Sequence, residues 1–317
     1  MTGTVPTRET IEAAHGLVKP YIHHTPVFTS HFLNDLSGAE LYFKCENLQK
    51  IGSFKARGGL NAVLSLSADQ LANGVITHSS GNHAQAIAFS AQKVGAKCYI
   101  VMPDNSPKVK IAAVEGYGAT ITFCKNTPED RQGTVDAIVA RTGATFIHPF
   151  NNYEVIAGQA TAAKELLEDV EVTLDAIVAP VGGGGLLSGT ALSARYFSPR
   201  TRVYAGEPEG AADAILSFRT GRIERAPYAN TIADGLLTHL GDKTFPIIRS
   251  EVTDIFTVSD EEIVQAMRYL WERVKIVVEP SGAVSTAAVL KNKAVFEGKK
   301  VGIIISGGNV DLGKLPF

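Results

Sequence analysis

The chain has 317 residues, a formal net charge of −2, and 45% hydrophobic against 20% charged residues. That is ordinary globular composition with room for two lobes, and it offers no basic excess for nucleic acid or an anionic membrane. The polar start "MTGTVPTRET" lacks a signal-peptide core, no stretch approaches the ~18 apolar residues of a membrane span, and Cys45, Cys98 and Cys124 fit neither a disulfide framework nor a zinc pattern, so a cytoplasmic protein is expected.

The first marked stretch is "QKIGSFKARGG" (49–59), where a lone lysine, Lys55, sits between Phe54 and Ala56 and ahead of Gly58-Gly59. From residue 75 onward short β-rich runs alternate with helical ones. "VITHS" (75–79) precedes a helix over 82–94, and "CYIVM" (98–102) precedes a helix over 108–117. "TITFC" (120–124) precedes a helix over 129–141 and is followed by "TFIHP" (145–149). "AIVAPV" (176–181) leads through Gly182–Gly185 into a helix over 186–196, and "RVYAGEP" (202–208) leads into one over 211–218. Residues 260–274 read as an amphipathic helix, and "VGIIIS" (301–306) as a buried strand. Such alternation predicts an α/β protein with parallel, twisted, helix-covered sheets. Two sheets are expected: a four-stranded one in a small domain over 74–149, and a larger one in a discontinuous domain over 1–73 and 150–317.

Ligands of open parallel sheets bind outside the carboxyl ends of the strands. Here those ends carry "HSSGNH" (78–83), "VGGGGLLSG" (181–189), "GEPEGAAD" (206–213) and "SGGN" (306–309). Four glycines joining a buried strand directly to a helix let backbone N–H groups converge on an anion, so Gly182–Gly185 read as a phosphate cup. A dinucleotide fingerprint is a near miss: Gly183 and Gly185 fit, Ser188 replaces the third glycine, and Glu207 stands where a ribose-binding acid would. That leaves a nicotinamide-dependent oxidoreductase as an alternative. Lys55 points elsewhere. A nucleophilic lysine needs burial to lose its proton, Phe54 offers an apolar wall, and a lysine facing a phosphate cup suits an aldehyde cofactor, pyridoxal 5'-phosphate.

The motifs "SFKARGG", "SSGNHAQA", "GGGGLLSG" and "SGGNVDL" resemble those of pyridoxal-phosphate enzymes of the tryptophan-synthase β type (fold type II). Within them the likeness is strongest to serine racemase, the serine and threonine dehydratases and 3-hydroxyaspartate dehydratase. The resemblance implies a cofactor held between a large and a small domain, a small amino-acid substrate and a homodimer. It implies that Lys55 carries the cofactor and moves the α-proton, and that Phe54 packs beside it. Gly182, Gly183, Gly184, Gly185 and Leu186 would hold its phosphate, Asn82 its 3-hydroxyl, and Ser306 would face the pyridine nitrogen. A neutral hydroxyl there does not keep the ring protonated, which favours prompt loss of a β-hydroxyl. Ser79, Ser80, Gly81, Asn82 and His83 would receive the substrate carboxylate, with Arg131 near the substrate. Ser80 would supply the second proton donor that racemisation requires.

The resemblance also implies that Glu207, the Ala211 carbonyl and Asp213 match the divalent-cation site of the serine racemase group, for Mg2+, Ca2+ or Mn2+, and oxygen ligands suit such ions. His23-His24 is not a metal site, because neighbours on an extended chain point apart. Lys50, Gln85 and Tyr117 fit the nucleotide-activated racemases, but Ile51 and His31 replace hydroxyl residues, so activation by ATP is not expected. Phe150 replaces an asparagine near the cofactor, and Ala160 replaces a usual glycine. A 3-hydroxyaspartate substrate would need a further cation or donor, for which His83, Arg131 and Thr238 are candidates.

Overall fold

The computed structural model describes residues 3–106, 108–226 and 229–317; Met1, Thr2, Pro107, Pro227 and Tyr228 lie outside it. Ten strands are present among them: β1 Val27–Phe28, β2 Glu40–Cys45, β3 Val75–His78, β4 Cys98–Pro103, β5 Thr120–Cys124, β6 Thr145–Phe146, β7 Ala176–Pro180, β8 Arg202–Pro208, β9 Asp254–Val258 and β10 Lys300–Ile305. They form the two expected sheets. The larger has the order β1-β2-β10-β7-β8-β9, and the smaller β5-β4-β3-β6. All pairings are parallel except β1 with β2, an antiparallel edge.

β10 lies between β2 and β7, and Val301, Ile303, Ile304 and Ile305 are fully buried, as a strand covered on both faces requires. Its carboxyl end is where the marked segments meet. Ser53 pairs with Gly307, and Phe54 N–H donates to the Ser306 carbonyl at 3.0 Å. The turn before Lys55 is thereby tied to the strand that ends in "SGGN".

Some expected elements are shorter. β6 stops at Phe146, because His148 Nδ1 accepts from the Asn151 and Phe150 N–H groups, at 3.0 and 3.3 Å, and turns the chain. The helix expected from residue 211 begins at Asp213, after a 3-10 turn over Glu209–Ala211. The helix expected over 260–274 ends at Tyr269, opened by the Ser259–Glu262 capping box, and a π-turn over Leu270–Val274 follows.

The helix Lys55–Leu64 is fixed from beneath by charge. Arg57 is fully buried, and Nε and Nη2 donate to Glu46 at 2.7 and 2.8 Å. Nη1 and Nη2 donate to Glu165 at 2.8 and 2.7 Å, and Lys44 Nζ adds bonds to Glu165 at 2.9 Å and Asp169 at 2.8 Å. Gly58 and Gly158 let this helix lie backbone against backbone on the helix Tyr153–Asp169. A methyl group at Gly158 would come within 2.6 Å of the Arg57 carbonyl. The close approach in "ARGG" therefore serves helix packing. Burial alone would raise the Glu165 carboxyl, but hydrogen bonds from His15 and Arg57 outweigh it and hold it well below the usual range. A depressed carboxyl stabilises above its ordinary value of 4.5, and that contribution fades as pH falls below it. Arg57→Met leaves the buried Glu46 without a cation and takes one of the cations from Glu165, which keeps Lys44, so urea titration at pH 7 should show a loss of about 3–5 kcal/mol.

Candidate active site

Lys55 opens the helix Lys55–Leu64, and its Nζ donates to the Pro149 carbonyl at 2.9 Å. The next residue, Phe150, lies against the glycine cup. A methyl group on Gly183 would meet its ring at 2.3 Å, and one on Gly185 its Cβ at 3.0 Å. The segment from His148 to Phe150 thus joins Lys55 to Gly182–Gly185, which lie far apart in sequence. The Phe54 ring centroid is 5.2 Å from Nζ. Burial pulls the Lys55 amine down from 10.5 to about 8, so a useful fraction is neutral near physiological pH.

Two imidazoles, His83 and His148, lie close enough to feel this amine, and His78 lies beside His148; the sequence reading did not single out His78 or His148. His83 Nε2 is 3.2 Å from the Ile147 carbonyl, and its buried Nδ1 has no partner. Burial, with Lys55 adding repulsion, holds it neutral. Burial likewise brings His148 down to about 4, helped by His78 and Lys55, and brings His78 down to about 4, helped by Arg131. His148 packs edge-on against Phe150, with centroids 4.6 Å apart, and lies 6.0 Å from His78.

The cup follows β7. Gly184 adopts φ 86 as the cap of the 13-residue helix Gly185–Phe197, and Thr244 Oγ1 donates to the Gly183 carbonyl at 2.9 Å. The first N–H groups of a helix lack intrahelical acceptors and favour an anion. Leu240 and Ile248 close the far side of Gly184, and Thr238 lies beside Gly182. Opposite, Asn82 opens the helix Asn82–Val94, and its Nδ2 donates to Glu279 Oε1 at 2.8 Å. Ser306 is buried, with its hydroxyl 3.5 Å from the Ser281 carbonyl. In the loop before Asn82, Ser79 Oγ accepts from Gly81 N–H at 3.2 Å, and Ser80 is exposed. A near-neutral amine beside a helix-terminal anion cup is a donor set that fits an aldehyde-phosphate cofactor.

The other expected residues divide. Glu207 and Asp213 come together at the end of β8, both buried. Glu207 accepts from the Ala214 and Ile215 N–H groups at 2.6 and 2.9 Å, while Asp213 Oδ2 has no partner. Burial raises Glu207 to about 8 and Asp213 to about 7. Among the described residues no three or more His, Cys, Asp or Glu side chains gather as a metal cluster. Arg131 lies close enough to His78 for its charge to help lower that imidazole. Its Nη2 donates to Asn126 at 2.9 Å, and its buried Nε has no partner. His23 and His24 face different groups, the Leu48 carbonyl and Asp169.

The family model described as "Pyridoxal-phosphate dependent enzyme" matches residues 18–307. The chain belongs to that family. It is similar to serine racemase of Dictyostelium discoideum, at 51% identity over 98% of this chain and 96% of that protein. It is similar to beta-hydroxyaspartate dehydratase of Paracoccus denitrificans, at 50% identity over 99% of each. The crystal structure of the Dictyostelium racemase superposes with a TM-score of 0.92 over 96% of this chain and 99% of that one. Membership sets aside the dinucleotide alternative, and in this pyridoxal-phosphate dependent enzyme Glu207 is turned toward the helix Asp213–Thr220. Among the described residues no helix is long and apolar enough to cross a membrane.

Capture of an aldehyde needs the neutral amine. Stopped-flow uptake of pyridoxal phosphate by the apoenzyme should accelerate as pH rises through about 8 and level off above it. The folded amine releases its proton near 8 and the unfolded one near 10.5, so apoenzyme stability should rise with pH across that window.

Proposed function

We propose that the protein is a dehydratase (ammonia-lyase) of small β-hydroxy amino acids such as serine and threonine, with serine racemase activity beside it. The observation that carries this reading is the Lys55–Pro149 hydrogen bond, which sets a near-neutral amine between the Ser306 strand end and the glycine cup. The relatives named serine racemase support it. Overall, the elements of water leave Cα and Cβ, and hydrolysis then releases ammonia and a 2-keto acid.

Lys55 Nζ holds the cofactor and takes the α-proton. Bound pyridoxal phosphate supplies the electron sink for the charge left at Cα. Gly182, Gly183, Gly184, Gly185 and Leu186 donate N–H groups to its phosphate, Phe54 flanks it, Asn82 meets its 3-oxygen and Ser306 its ring nitrogen. Ser79, Ser80, Gly81, Asn82 and His83 receive the substrate carboxylate. Ser80, exposed at the mouth of the loop, serves as the proton donor opposite Lys55. The unpartnered Arg131 Nε favours a second reading, 3-hydroxyaspartate dehydratase, as does the relative of that activity. A β-carboxylate reaching His78 and Arg131 would find a cation there.

Glu207, the Ala211 carbonyl and Asp213 would hold Mg2+, Ca2+ or Mn2+. The support is two buried carboxyls side by side, one with an oxygen that has no hydrogen-bond partner. Residues 1–73 with 150–317 and residues 74–149 act as two domains of a cytoplasmic homodimer. Ile51 packs among Val18, Leu60, Phe89 and Tyr117, which favours activity without ATP.

A steady-state panel of L-serine, D-serine, L-threonine and the 3-hydroxyaspartate isomers tests the substrate. Keto-acid release is expected from L-serine and L-threonine. Turnover of a 3-hydroxyaspartate isomer at least about tenfold faster, in kcat/KM, would hand the assignment to the second reading. Ser80→Ala should abolish D-serine formation and leave elimination within about tenfold of the parent. Chelation should lower the melting temperature, with recovery on adding Mg2+; Glu207→Ala should remove that response.

A further inference from the structure

Three features near the cofactor pocket are not used by the reading above. Ile51 has φ 59, an uncommon and strained backbone for a β-branched residue. Gly52, with φ 69, stands where a methyl group would meet Asn309 Oδ1 at 2.4 Å. Gly307 stands where one would meet Glu279 Oε1 at 2.4 Å and Asn82 Nδ2 at 3.4 Å. All three lie around one chain of hydrogen bonds. Asn309 Nδ2 donates to the Ile51 carbonyl at 2.7 Å and to Asn82 Oδ1 at 2.8 Å. Asn82 Nδ2 donates to Glu279 Oε1 at 2.8 Å. The turn at Ile51 presents the carbonyl, and the two glycines leave room for the two side chains.

This chain has only one direction. A carbonyl can only accept, so Ile51 forces the Asn309 NH2 toward itself and toward Asn82. Asn82 must then offer its oxygen to Asn309, which leaves its NH2 for Glu279 and one further partner. Glu279 is buried and faces Asp234, with Lys110 and Asn82 acting against the shift, and its carboxyl is pushed up to about 8. It is therefore largely protonated at neutral pH.

We propose that Asn309 and Glu279 are positioning residues that lock the Asn82 carboxamide so that its remaining N–H, never its oxygen, faces the 3-oxygen of bound pyridoxal phosphate. This rests on the placement of Asn82 beside that oxygen in the proposed function. The consequence is electronic as well as geometric. An oxygen that only accepts keeps its charge, the proton stays on the lysine nitrogen, and the visible-absorbing tautomer of the bound cofactor is favoured over the near-ultraviolet one. Asn82 begins a helix that follows the smaller sheet, whereas Asn309 and Glu279 follow and flank β10 and the helix Pro280–Lys291 of the larger. The lock thus forms only while the two layers are together.

The test reads the visible to near-ultraviolet absorbance ratio of the cofactor-loaded protein at neutral pH. Asn82→Ala sets the reference shift. Asn309→Asp, which cannot donate to Ile51 or Asn82, and Glu279→Ala should each lower the ratio at least about threefold, in the same direction as Asn82→Ala. Neither should add to it in the double variant. Glu279→Gln, an uncharged hydrogen-bonding twin, should keep the parent spectrum. Loss of packing alone would lower the melting temperature without this spectral mimicry or non-additivity. If Asn309→Asp does not fold, Gly307→Ala, which displaces Glu279, takes its place. A shift from Asn82→Ala with none from the others, or additive shifts, overturns the lock and leaves the proposed function standing. No shift from Asn82→Ala overturns the placement of Asn82 and the lock with it. A parent protein lacking any visible band that borohydride removes overturns the functional reading itself.

Discussion

Arg57 clamped between Glu46 and Glu165 is the contact from which the rest of the site is built. A guanidinium with no exposure is tolerable only when every charge around it is answered, and here two bidentate carboxylates do so. Glu46 follows β2 and Glu165 lies on the helix Tyr153–Asp169, so the clamp ties both to the first turn of the helix that carries Lys55. Removing the charge would be cheaper in stability if the shape were kept. What the buried ions contribute is a single place for that helix to begin, two residues from the amine.

From that fixed start the chemistry follows by exclusion. Among the described residues the Lys55 amine is hydrogen-bonded to the Pro149 carbonyl and to no carboxylate, and its titratable neighbours His83 and His148 are kept uncharged by burial. No carboxylate answers the ammonium there, which is why desolvation dominates its behaviour. The anion-binding power sits on the other side, in peptide N–H groups instead of side chains, where it does not titrate. A site of this kind presents a base and an anion cup without allowing the two to neutralise each other.

Much of this was legible in sequence because it is local. The strands β3, β4, β5, β7, β8 and β10 are short β-rich runs between helices, and β3, β7, β8 and β10 end in the small, polar or glycine-rich segments that suit a binding loop. β1 is two residues long, too short to show a period, and β2 hides a buried Lys44 that answers Glu165 and Asp169. Lys55, the four glycines and Ser306 stood out for the same local reason. Glu279 and His148 did not, because their meaning lies in partners far along the chain: Glu279 meets Asn82 from 197 residues away. Arg131 was read as near the substrate; what the fold adds is that its charge acts on His78, a relation that no spacing in the sequence encodes.

The central claim is that Lys55 is the covalent anchor of the cofactor. Borohydride reduction of the purified, cofactor-loaded protein, followed by proteolysis and mass mapping of the pyridoxyl group, tests it most directly. The account predicts one modified peptide containing "SFKAR", with the label on Lys55. A label on any other lysine, or a visible band that survives reduction with no labelled peptide, would contradict it.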